Sequence, residues 1–106
     1  MRQTNSDLQT MYAEFNRKYF GNKLPKDMAV RFSNEHPGAL GYTAFRFGRP
    51  LYIQITKDFR WSNCLTAMTL LHEMVHVKLP FKFYHGPKFH KEMLRLAKIG
   101  AMRPWW

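Results

Sequence analysis

Residues 72–76 read His72-Glu73-Met74-Val75-His76, inside a mostly apolar run from Leu65 to Leu79. On a helix, positions i and i+4 share a face one turn apart. Two imidazoles placed that way can share one metal ion, and zinc takes such nitrogen ligands at about 2.0–2.1 Å. Glu73 follows the first histidine by one position. From there a carboxylate can act as general base on a water at the metal without being a ligand itself. Thr66, Thr69, His72, Glu73 and His76 are the polar side chains between Leu65 and Val77, and polar groups on a buried helix need partners. The same five residues also suit two core histidines bonded to backbone carbonyls, with Glu73 in an ion pair. The rest of the chain decides between these readings.

The spacing predicts a helix over 63–78, capped by Ser62 or Asn63 and ended by Pro80. Upstream, Leu8, Met11, Tyr12, Phe15 and Tyr19 recur on one helical face. They predict an amphipathic helix over 7–20, with Ser6 and Gln9 as its capping box and Gly21-Asn22 as its stop. Three strands follow, over 28–33, 39–47 and 51–56, separated by a loop at 34–38 and a turn at Gly48-Arg49-Pro50. The short turn favours a hairpin between the second and third strands. Residues 58–63 form a connection carrying Trp61, and 79–86 are too irregular for a helix. Pro87 opens a last helix over 87–99, with Phe89, Met93, Leu96 and Ala97 inward and Gly100 as its stop. The fold class is α+β: an N-terminal helix, a small three-stranded sheet, the motif helix and a C-terminal helix.

The chain has 106 residues, 45% of them apolar, enough for one domain with one modest core and too apolar for disorder. One cysteine, Cys64, rules out a disulfide framework and a cysteine zinc ribbon. Residues 1–10 are polar and no apolar run reaches the length of a membrane span. The expectation is a single domain over 1–106 that is not secreted and does not meet a membrane. Its place would be the cytoplasm, nucleoid or nucleus, and it would be a monomer. Seventeen basic residues against seven acidic give a net charge of +10, which points to a polyanionic partner. Lys88, Lys91, Arg95 and Lys98 form a basic stripe on the last helix and are candidate phosphate contacts. Trp105 and Trp106 are candidates for stacking on unpaired bases.

A catalytic zinc site usually has three protein ligands and one open position. The pattern H-E-x-x-H-x-x-G-x-x-H fails here, because Leu79 stands at its glycine and Lys82 at its last histidine. His85, His90 and Glu92 are the candidates for the third ligand. His85 leads, on the loop that returns past the motif helix, with Gly86 beside it. His36, before Pro37-Gly38, reads as a loop histidine. Tyr84 and Tyr42 are candidates for stabilising an oxyanion.

Several stretches in order resemble a SprT-like (Spartan-type) zinc metalloprotease domain. They are Tyr12-Ala13-Glu14-Phe15-Asn16-Arg17-Lys18-Tyr19-Phe20 with Lys23-Leu24-Pro25, then Gly41-Tyr42, then Leu70-Leu71-His72-Glu73-Met74-Val75-His76, and last His85-Gly86-Pro87-Lys88-Phe89-His90-Lys91-Glu92-Met93. The resemblance implies a minimal zincin fold, with Zn²⁺ held by His72, His76 and His85 and Glu73 as catalytic base. It maps the third ligand onto His85 and away from His90 and Glu92. It also implies a protease acting on DNA-associated or DNA-crosslinked proteins, with DNA, single-stranded DNA included, as a second partner. Many relatives continue into a cysteine zinc ribbon, and with one cysteine the expectation here is a domain without it. The competing reading is a basic nucleic-acid-binding module whose zinc site is structural or inactive.

Overall fold

A computed structural model of the protein describes residues 2–35, 38–79 and 85–103. The elements run in the order α1 (Asn5–Tyr19), β1 (Ala29–Phe32), β2 (Gly41–Arg46), β3 (Arg49–Ile55), a 3₁₀ turn (Lys57–Trp61), α2 (Asn63–Lys78) and α3 (Pro87–Lys98). This is the expected α+β arrangement. Pro80, His36, Tyr84, Trp105 and Trp106, singled out above, lie outside the described residues.

Helix α1 begins two residues earlier than its apolar periodicity suggests. Its capping box is Thr4 with Asp7 rather than Ser6 with Gln9: Asp7 N–H donates to Thr4 Oγ1 at 3.1 Å, and Thr4 N–H donates to Asp7 Oδ2 at 2.8 Å. Ser or Thr followed three residues later by an acid or an amide describes both pairs, and the charged carboxylate of Asp7 makes the stronger return bond. Gln9 has another task. Its side chain accepts from Val30 N–H at 3.2 Å and donates to the Met28 carbonyl at 2.8 Å, while Asn5 accepts from Phe32 N–H at 2.8 Å. These three bonds occupy the outer backbone edge of β1.

The sheet order is β1-β3-β2. β1 pairs with β3 in parallel and β2 pairs with β3 antiparallel, so the expected hairpin forms. Two details of it differ from expectation. The turn is the two residues Phe47-Gly48, and Arg49 and Pro50 belong to β3. Pro50 sits where β3 has run past the end of β1, which pairs only with Tyr52–Ile55, so its missing N–H costs no ladder bond. The register then steps from Phe45↔Pro50 to Ala44↔Tyr52, leaving Leu51 as an extra residue. That bulge turns Leu51 outward, and it is exposed although Ile53 and Ile55 are fully buried.

The core lies between the sheet and the helices. Leu8, Tyr12 and Phe15 of α1, Val30 and Phe32 of β1, Ile53 and Ile55 of β3, Leu70, Leu71, Met74 and Val75 of α2, and Phe89 and Leu96 of α3 form one cluster. α2 runs through its middle, which explains why its sequence is apolar on most sides. Ser62 caps it, accepting from Leu65 N–H at 3.1 Å. Buried Thr66 donates its hydroxyl hydrogen toward the Phe59 carbonyl and Gln3 Oε1, both at 2.8 Å. No described helix is long and apolar enough to cross a membrane.

Candidate metal centre and cleft

His72 and His76 leave α2 on the same side, and the start of α3 brings His85 to them. Their ligand nitrogens all lie within 4.8 Å of one another, and His72 Nε2 and His85 Nε2 are 3.1 Å apart. Two nitrogens on a tetrahedral zinc at about 2.05 Å would stand roughly 3.3 Å apart. The donor set therefore fits such an ion. Burial, with His76 and His85 nearby, lowers the His72 pKa to about 4, which favours the neutral imidazole that a metal takes as ligand.

Phe89 holds the three rings together. It is buried, and its ring centroid lies 4.9, 4.8 and 4.6 Å from those of His72, His76 and His85. Pro87 at the first turn of α3 fixes the entry of this helix, and Phe89 two positions later reaches α2.

Glu73 points from α2 toward β2. It is 6% exposed, and the Thr43 hydroxyl donates to its Oε1 at 2.8 Å. Burial pushes its carboxyl up to about 7, against the lowering effect of the Thr43 bond. Gly41, two residues before Thr43 and on the same face of β2, is the point of closest approach. A Cβ there would lie 2.7 Å from Thr69 Cγ2 and 2.9 Å from Glu73 Oε2. Bare backbone at Gly41 is what lets the carboxylate sit against the strand. Gly41, Tyr42, Thr43, Phe45, His72, Glu73, His76 and His85 line one cleft of about 310 Å³.

The other candidates stand elsewhere. His90 is exposed, and Glu92 is buried away from the histidines. Glu92 Oε2 meets Lys78 Nζ at 2.9 Å and Arg95 Nη2 at 2.6 Å. Lys88, Lys91 and Lys98 are exposed on α3. Arg95 differs from them: its guanidinium donates to both Glu92 oxygens and to the Tyr19 carbonyl at 2.7 Å, and lies over the Phe20 ring. It braces α3 against the end of α1. Tyr42 lines the cleft at its strand side.

Thr43 and Phe89 escaped the sequence reading as site residues. Thr43 is one of six threonines in the chain, and only the packing of β2 on α2 assigns it to Glu73. Phe89 read as core, which it is, but core that faces the histidines.

The site is a three-histidine cluster able to hold a metal, beside a buried carboxylate on α2, in a small α+β domain. The SprT-like family profile matches residues 8–103, nearly the whole chain, and the protein belongs to the SprT-like family, which is linked to zinc metalloprotease activity. No curated protein matches the chain.

Proposed function

We propose that this single domain is a zinc-dependent endopeptidase acting on proteins associated with, or crosslinked to, DNA. One observation carries the reading: three imidazoles converge at metal-binding distances next to a buried carboxylate held by Thr43. His72, His76 and His85 would hold the ion. Bound there, zinc supplies Lewis-acid polarisation of a carbonyl and acidifies water. A closed structural site would want four protein ligands, and His90, the candidate for a fourth, is not part of the cluster formed by the described residues.

The chain's own groups do the rest. Glu73 takes a proton from the attacking water on its carboxylate and returns it to the leaving amine nitrogen. Thr43 holds that carboxylate in one orientation. Tyr42 is the candidate to meet the developing oxyanion from the strand side of the cleft. β2 pairs with β3 on one side among the described residues, and its other side borders the cleft through Gly41, Tyr42 and Thr43. An extended substrate chain can add to that edge. The other edge of the sheet is filled by Gln9 and Asn5 of α1.

The DNA side of the reading is supported by the net charge of +10 and by exposed Lys88, Lys91 and Lys98 along one helix. The reading expects a cytoplasmic, nucleoid or nuclear monomer. The experiment is cleavage of an unfolded protein substrate by the wild type and by Glu73→Gln, with and without single-stranded DNA. The reading expects zinc-dependent cleavage by the wild type, none by a folded, zinc-loaded Glu73→Gln, and stimulation by DNA. Full activity in the variant refutes the base. Activity indifferent to DNA reduces the reading to a peptidase without a nucleic-acid partner.

A further inference from the structure

The β2–β3 hairpin breaks three local rules within four residues. Arg46 and Arg49 are direct cross-strand partners, so the loop is Phe47-Gly48. Both loop residues have positive φ, 52° and 76°. Two-residue loops of that kind favour Asn-Gly or Asp-Gly, and a bulky side chain in the left-handed region is an outlier. Phe47 is also 91% exposed, so no core burial offsets that strain. Like charges directly opposite on a ladder destabilise it, and among the described residues no carboxylate is paired with Arg46 or Arg49. The Arg46 guanidinium instead lies 5.4 Å over the Phe47 ring. The exposed left-handed phenylalanine and the facing arginines work against the stability of the hairpin, and the exposed Arg46–Phe47 contact offsets only part of that cost. A tip that concentrates such costs is kept for what it contacts.

We propose that the tip Arg46-Phe47-Gly48-Arg49 is a contact for single-stranded nucleic acid. The Phe47 ring stacks on an unpaired base, and the two guanidiniums take the phosphates on either side of it. The chemistry selects this partner. An unpaired base offers an open π face to the ring, and its backbone offers anions at both flanks. A duplex hides its base faces in the stack. An acidic peptide would satisfy the arginines and leave the ring uncovered. The location is informative as well: Phe45, next to Arg46, lines the histidine cleft. A strand held at the tip therefore lies at one end of that cleft. The inference shares its polyanionic partner with the proposed function but uses no residue of α3, and its test does not depend on peptidase activity.

The test is fluorescence anisotropy with an end-labelled oligothymidylate of about 15 nucleotides, roughly the site size of a small single-strand binder, titrated at several salt concentrations. The proteins are the wild type, Phe47→Asn, Phe47→Trp and Arg46→Gln/Arg49→Gln. Loss of one base–aromatic stack, about 1–3 kcal/mol, corresponds to a roughly 5- to 150-fold weaker complex for Phe47→Asn. Its salt slope stays that of the wild type, and its melting temperature rises, because asparagine suits the left-handed turn. Phe47→Trp keeps the affinity. The double arginine variant flattens the slope by about 1.4, roughly 0.7 for each lost phosphate contact. Four results would overturn the inference: no binding by the wild type at low salt, unchanged binding by Phe47→Asn, a duplex bound more tightly than the single strand, or a polyglutamate peptide competing as well as the oligonucleotide. All four leave zinc binding and peptide cleavage as they stand.

Discussion

Thr43 on β2 donates a hydrogen bond of 2.8 Å to Glu73 Oε1 on α2, across a buried contact between strand and helix. The bond joins the residue proposed as base to the sheet edge proposed to receive substrate. Thr43→Val keeps the shape and removes the donor. A hydrogen bond to a charged group contributes about 1.5–3 kcal/mol, so kcat should fall roughly 10- to 100-fold. KM and zinc content should stay near the wild-type values, and Thr43→Ser should restore most of the rate. Steady-state kinetics on the three proteins checks this. Equal losses in the serine and valine variants would make Thr43 a packing residue only.

Gly41 gives a second, independent handle on the same carboxylate. A methyl group there meets Thr69 Cγ2 at 2.7 Å and Glu73 Oε2 at 2.9 Å. Overpacking of this kind costs about 1–3 kcal/mol, so Gly41→Ala should be less stable and much less active. Thr69→Ser removes one of the two clashes. The double variant Gly41→Ala/Thr69→Ser should recover stability in urea melts without recovering activity, because the carboxylate is still displaced. Recovery of both would show that Glu73 tolerates the shift.

The elements whose signals are local were legible in the sequence. The motif helix, the last helix behind Pro87 and the β2–β3 hairpin follow from periodicity, proline and turn spacing. His85 led His90 and Glu92 on its loop position beside Gly86, and the family resemblance then mapped the third ligand onto it. What escaped depends on packing at a distance. The parallel pairing of β1 with β3 needs the whole sheet. The bulge that turns Leu51 outward needs the register. Asp7 displaced Gln9 from the cap because Gln9 is engaged with β1. Arg95 looked like its lysine neighbours until Glu92 and the Tyr19 carbonyl were seen on its guanidinium.

Glu92 carries a pH prediction. Burial raises its carboxyl, and hydrogen bonds and charges from Arg95 and Lys78 outweigh burial and hold it below the ordinary carboxylate value. A carboxyl depressed in the folded state stabilises the protein above its unfolded pKa of about 4.3, and that contribution is lost as pH falls through the folded value. At pH 7, Glu92→Gln should be less stable by about 1–3 kcal/mol, since Lys78 and Arg95 are part-exposed and stay hydrated. Below about pH 4 the gap to the wild type should close. Urea midpoints across that range check it, and a gap independent of pH would contradict it.

Zinc per chain, measured by elemental analysis on wild type and His85→Ala prepared side by side, tests the central claim most directly. The account predicts one zinc in the wild type and a clear loss in the variant, with both proteins folded by circular dichroism. One zinc retained in both would contradict the three-histidine site. No zinc in carefully prepared wild type would reduce His72, Glu73 and His76 to a buried polar cluster.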